Sequence, residues 1–249
     1  MITLFEKDNH KNIMFNDLSS GKMIQANQHF IINEQEGMVL DPGGHKVHTR
    51  LFAEMSSVLP ISQLKYIFLS HQDPDIIAAL NAWMMMTDAQ AFLPSIWIRF
   101  AAHFGIDELA EKRINLIADE GTTIQLGNET LKAIPAHYLH SSGNLHLYDP
   151  VAKILYTGDL GASPSAPYPI VEDFNAHIKY MEGFHIRYMP TTKALKMWLN
   201  MVRTLEIDMI APQHGAIIDN TAHVVQFMDW LDTLEVGVDK MGDVFTVPE

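Results

Sequence analysis

The chain contains no cysteine. That absence removes disulfides, thiolate metal sites, iron–sulfur clusters and cysteine nucleophiles together, so a metal site here must be assembled from His, Asp and Glu. Positive charge is scarce: 17 Lys and Arg stand against 30 Asp and Glu, for a net charge of −13. A nucleic-acid footprint needs the opposite balance and is not expected. The acidic surface reads as a solubility feature. No apolar run approaches the length of a membrane span, and the first residues, MITLFEKDNHKN, carry no apolar signal core. No membrane insertion is expected, and a cytoplasmic location is the default. Repeats, low-complexity tracts and linkers are also missing.

What is present is an apolar content of 47% over 249 residues, enough for a substantial core, and thirteen histidines. The stretch 66–78, YIFLSHQDPDIIA, organises the rest. An apolar run stops at Ser70, and three metal-capable side chains follow at alternate positions: His71, Asp73 and Asp75. In an extended backbone alternate residues point the same way. Pro74 supports that geometry by pushing the residue before it out of the helical region. A helical pattern over 76–86 begins at once, with Asp75 as its expected N-cap. The competing reading is a plain strand, turn and cap with an incidental histidine.

Along the chain, residues 22–40 read as two strands, MIQANQHFII and GMVLD, ending in the turn Asp41-Pro42-Gly43-Gly44. A helix fits 47–58, flanked by His45 and His48 as surface or capping residues. Met84, Met85 and Met86 read as adaptable core packing. Pro94 opens a short helix closed by Gly105, with His103 structural. Short β-like runs alternate with turns over 113–135. The strands LHLYD and KILYT follow, the second running into Gly158-Asp159-Leu160-Gly161. Helices are expected at 174–189 and from Thr191 or Thr192 to about 204, then a strand at 207–210 and a last helix over about 220–234.

Four strand ends therefore carry chemistry: His71/Asp73/Asp75, His140 or His137, Asp159, and His214 beside Gly215. In α/β sheets the loops at the carboxyl ends of strands form the ligand crevice. Each loop alone is as well explained by packing; four together are not.

The ordered set LDPGG at 40–44, HQDPDI at 71–76, LHSSGN at 139–144, TGDLG at 157–161 and PQHG at 212–215 resembles the metallo-β-lactamase superfamily over nearly the whole chain. The resemblance implies a single α/β domain, 1–249, folded as a four-layer αββα sandwich with mixed sheets. Asp73 stands where zinc hydrolases of the superfamily have histidine. A carboxylate there makes a harder site and suits iron, as in the flavodiiron branch. The sequence is similar to the flavodiiron relatives known as oxygen-binding diiron proteins (ODP), which lack the flavodoxin domain and are associated with bacterial chemotaxis. The end of this sequence at Glu249 leaves no room for such a domain, so no flavin is expected in it.

Carried over residue by residue, the resemblance implies that His71, Asp73 and His140 hold one iron, Asp75 and His214 the other, and Asp159 bridges the two. A bridging oxo, hydroxo or peroxo group would complete the pair. His140 is preferred because the small-residue loop SSGN follows it, which leaves His137 as an outer-sphere or substitute ligand. Two departures stand out. Asp73 replaces the longer Glu of the flavodiiron branch, and Ile76 replaces the last histidine of the loop. Either the second iron keeps an open position for O2, or His137 fills it, or that site binds weakly. His177 and His185, like Tyr180 and Tyr188, are eight apart and form helical stripes. They are assigned to core or dimer packing, with roofing of the metal pocket as the alternative. His10, His29, His146 and His223 are assigned no role.

The function implied is a non-haem diiron protein that binds and slowly reduces dioxygen, working as a sensor. The implied partners are dioxygen or NO, a second copy in a homodimer, and the chemotaxis kinase CheA or the response regulator CheY. The alternatives are an O2 or NO reductase served by a separate electron donor, and a zinc-dependent hydrolase.

Overall fold

The computed structural model describes residues 1–16 and 18–248. Its strands are β1 Ile2–Lys7, β2 His10–Phe15, β3 Gln28–Asn33, β4 Glu36–Leu40, β5 Leu64–Phe68, β6 Gln90–Pro94 and β7 Ile114–Ile117 in one sheet, in that spatial order. The second sheet holds β8 Thr122–Leu126, β9 Glu129–Pro135, β10 Leu145–Asp149, β11 Ile154–Tyr156, β12 Met209–Ala211 and β13 Ile218–Asp219, ordered β13-β12-β11-β10-β9-β8. Both sheets are mixed. Pairing is antiparallel from β1 to β4 and parallel from β4 to β7, and β11 pairs with β12 in parallel within an otherwise antiparallel sheet.

The helices are α1 His45–Ser56, α2 Pro74–Ile77, α3 Leu80–Met86, α4 Ile98–Ala101, α5 Glu108–Glu111, α6 Phe174–Tyr188, α7 Thr192–Val202, α8 Thr221–Thr233 and α9 Gly237–Met241.

Strand alternation sorts the side chains into layers. In β4, Met38 and Leu40 enter the apolar layer between the sheets, where they meet Leu145, Leu147 and Tyr156. Val39 points the other way, into a cluster with Leu51 and Met55 of α1 and Trp83 of α3. In β11, Leu155 faces outward onto Met181 of α6, Leu195 of α7 and Phe227 of α8. Helix, sheet, sheet and helix are thus stacked in the four layers expected from the sequence.

Several expectations need correction. The hairpin β1–β2 was not read from the sequence, and 22–27 is not strand, so the first expected strand shortens to Gln28–Asn33. The helix expected over 76–86 is two pieces, interrupted at residues 78–79. The strand expected at 207–210 lies at Met209–Ala211. Of the three methionines only Met84 is buried; Met85 and Met86 are exposed. His48 is no surface or capping residue: it lies on the inner face of α1 with Leu51 and Met55, its ring 4.7 Å from that of Trp83.

Candidate metal centre

The site forms where strands of both sheets end. β5 stops at Phe68, and Asp41, just past β4, accepts a hydrogen bond from the Ser70 amide at 2.8 Å. The turn after β4 therefore props up the loop after β5. Burial pushes the Asp41 carboxyl up to about 6. Pro74, which has no N–H, occupies the first helical position, so Asp73 and not Asp75 is the N-cap residue of α2. Its side chain makes no capping bond; Oδ1 accepts from Gln72 Nε2 at 2.9 Å and Oδ2 faces the site.

His71, Asp73, His140 and Asp159 each offer one ligand atom, and these atoms lie within 4.8 Å of one another. His140 Nε2 is 3.4 Å from Asp73 Oδ2 and 2.9 Å from Asp159 Oδ2. His71 Nε2 is 3.7 Å from Asp73 Oδ2 and 3.9 Å from Asp159 Oδ1. On the other side, His214 Nε2 lies 3.4 Å from Asp75 Oδ2 and 3.6 Å from Asp159 Oδ1. Asp159 thus stands between two half-sets, His71/Asp73/His140 and Asp75/His214.

The orientation of the rings is set from behind. The Gln25 carbonyl, 2.6 Å away, accepts from His214 Nδ1–H, which turns Nε2 toward the cluster. Ser70 Oγ lies 2.9 Å from His71 Nδ1. Gly158 sits beside that hydroxyl at φ +51°, a conformation that a side chain would strain. Behind Asp159, the Gly161 amide donates to His185 Nε2 at 2.9 Å, and His185 Nδ1 donates to the Met181 carbonyl at 2.8 Å.

His71 Nε2, His140 Nε2 and Asp159 Oδ1 are buried and make no hydrogen bond. Orphaned polar atoms that all face one point suit a bound cation. The protonation pattern agrees. Burial acts to lower the His140 imidazole, but the Asp159 and Asp73 carboxylates beside it push it up to about 10. His71 is likewise raised against its burial by Asp73 and Asp159. Burial raises Asp75, opposed by His214. Asp73 and Asp159 are held below the usual carboxylate range, because their imidazole neighbours outweigh burial. The donors, imidazole nitrogen and carboxylate oxygen, fit a divalent first-row metal.

His137 is not brought into this group. Its Nε2 is 2.8 Å from the Asp119 carbonyl. Ile76 is fully buried and packs in the core with Leu51 and Trp83. The α6 stripes divide: His177 and His185 are buried, whereas Tyr188 is exposed, with its ring centroid 5.9 Å from that of His140. Tyr180 packs on His177 and Tyr168. Sequence reasoning assigned His185 to packing and passed over Gln25, because both act through contacts far away in sequence. It also assigned no role to His10, His29 and His146, all of which are buried.

Two mixed sheets with helices outside and a His/Asp cluster at the strand ends define a metallo-β-lactamase-like protein. A family model described as ODP family beta lactamase matches residues 24–215, and the chain belongs to that family. A solved structure described as the peroxy diiron species of chemotaxis sensor ODP superposes with a TM-score of 0.88 and 36% identity, covering 98% of this chain and all of that one. The apo state of chemotaxis sensor ODP from T. denticola gives 0.87 and 36%, covering 98% of each chain. Rubredoxin oxygen:oxidoreductase from Desulfovibrio gigas gives 0.79 at 14% identity, over 93% of this chain and 61% of that one, and so shares the fold. An uncharacterized protein of Methanocaldococcus jannaschii is 23% identical over 193 residues, 76% of this chain. This chain spans about half, 48%, of that curated relative.

Proposed function

We propose that this chain, as one domain, holds two iron ions and binds dioxygen at that centre, acting as an oxygen-responsive protein. The observation that carries the reading is the placement of Asp159, with Oδ2 toward His140 and Oδ1 toward His71 and His214. The family membership and the neighbour described as a peroxy diiron species support it.

In this reading His71, Asp73 and His140 hold one ion, Asp75 and His214 the other, and Asp159 both. Bound ferrous ions supply the electrons for reducing oxygen. The chain's own residues hold and orient. Gln25 and Ser70 fix the His214 and His71 rings, and His185 fixes the loop of Asp159. To hold an iron ion His140 would have to give up its proton, since a ligating imidazole must be neutral. Ile76 contributes no donor, so the Asp75/His214 half-set is poorer in nitrogen and leaves room for a ligand.

The finer part of the proposal is signalling: a homodimer whose oxygen state is read by the chemotaxis kinase or its response regulator. It draws on the descriptions of the neighbours as chemotaxis sensors.

The test is to load the protein anaerobically with ferrous iron, admit O2 and record the visible spectrum without any added donor. A coloured species that forms and persists is expected. Failure to bind iron, with tight uptake of two zinc ions instead, overturns the reading in favour of a hydrolase.

A further inference from the structure

A cavity of about 410 Å³ opens beside the metal centre, between the segment 19–28 and the start of α1. Its wall is largely apolar, with Met23, Ile24, Val47 and Pro74 contributing. Three polar features break that wall. Gln28 is fully buried, yet neither its Nε2 nor its Oε1 has a hydrogen-bond partner among the described residues. A buried amide with both ends unpaired is a costly arrangement that a ligand relieves.

The second feature is the N-terminus of α1, a helix of 12 residues. Gly44 is its N-cap, no side chain caps it, and no acidic residue stands in its first turn. The Val47 and His48 amides bond the Gly44 carbonyl, which among the described residues leaves the His45 and Lys46 amides outside the helix ladder at the positive end of the dipole.

The third is a cation, Lys46, which sits at this positive end and lines the same cavity, in a chain with only 17 Lys and Arg. Cations favour the opposite end of a helix. The neighbouring carboxylate, Asp75, also lines the cavity and lies 3.4 Å from His214 Nε2.

We propose that this cavity binds a small organic anion, with one carboxylate on a short apolar body. The carboxylate sits against the first turn of α1 and Lys46. The Gln28 amide donates to it or to a neighbouring polar atom, and the apolar part lies on Met23, Ile24 and Val47. Because the ligand would rest against the loop carrying Asp75, its occupancy would be felt at the metal centre without direct coordination. The site does not depend on iron.

The test uses hexanoate as probe, titrated by calorimetry into the full chain in both its iron-loaded and chelator-treated forms. Saturable binding to both forms is expected, with acetate and hexanol binding far more weakly. Lys46→Gln, an exposed change that leaves the core intact, should weaken hexanoate about tenfold, the loss of roughly one charge-assisted contact. Gln28→Leu should weaken it as well. No saturable binding overturns the proposal, as does equal affinity in Lys46→Gln. Binding confined to the iron-loaded form also overturns it, because the carboxylate would then be a metal ligand. A failure of the iron reading would instead show as absent iron uptake, with hexanoate binding intact.

Discussion

Gly161 donates its amide to His185 Nε2 at 2.9 Å, which ties the loop of Asp159 to the last turn of α6. His185 is fully buried and touches no other member of the cluster through this bond. A partner of this kind sets the aim of a ligand without being one. His185→Leu should therefore weaken metal binding about tenfold or more while the chain stays folded. Competition against a chelator of known affinity measures it. Unchanged affinity would show that the loop is held by other contacts.

Asp159 stands between two half-sets, so its loss and the loss of His214 should differ in kind. Asp159→Ala should bind neither ion tightly. His214→Ala should retain one, at His71, Asp73 and His140. Elemental analysis after equilibrium dialysis counts the ions per chain. Retention of two ions by Asp159→Ala would refute the bridging role.

His29 is buried on β3 near Tyr156, with Nε2 3.3 Å from the Pro212 carbonyl. Burial lowers its imidazole from 6.5 to about 4, despite that carbonyl. The folded state therefore resists a proton that the unfolded chain accepts. Its stabilising effect is full above pH 6.5 and is lost as pH falls toward 4. Within that window the loss runs at about 1.4 kcal/mol per pH unit. Urea unfolding of metal-free protein and of His29→Gln at several pH values should show their stability difference shrinking in that window. Asp41, whose raised carboxyl acts in the opposite sense, is common to both proteins and cancels. A difference independent of pH would contradict the assignment.

Asp149 accepts from Asn12 at 2.7 Å and pairs with His10 at 2.7 Å, all three buried. Burial acts to raise its carboxyl, but these two partners hold it below the ordinary value. Asp149→Ala strands both partners and should cost about 3–5 kcal/mol. Asp149→Asn keeps the shape and should cost less. Denaturant midpoints separate the two. Near-equal, small losses would mean the cluster contributes little.

The loops that bring His71, Asp73, His140, Asp159 and His214 together were legible in the sequence because each follows its own strand directly, so local pattern and chemistry coincide. The α6 and α8 helices were legible for the same reason, with Asp173 and Asn220 capping their starts. What escaped was non-local. His10 looks ordinary beside its neighbours, and only the return of β10, more than a hundred residues later, supplies Asp149. His185 shows a helical stripe but not the Gly161 amide that meets it. The β1–β2 hairpin escaped because its short strands, turning at Asp8 and Asn9, pair chiefly with each other and with β3. Asp75 looks like a cap when the helical pattern is started after it, whereas Pro74 fixes the start two residues earlier.

β11 and β12 lie side by side in parallel, with Tyr156 opposite Ala211, and the ladder carries on through Gln213 N to the Gly158 carbonyl at 2.7 Å. Asp159 and His214 are therefore separated by a long contour of chain yet spaced by main-chain bonds. The crossover between them is slack in the mechanical sense: extra residues at its exposed turn, 203–206, would lengthen the path without stretching the gap. The metal centre is in that respect indifferent to the size of the crossover, and new surface could be grafted there while the ligand spacing stays as the ladder sets it.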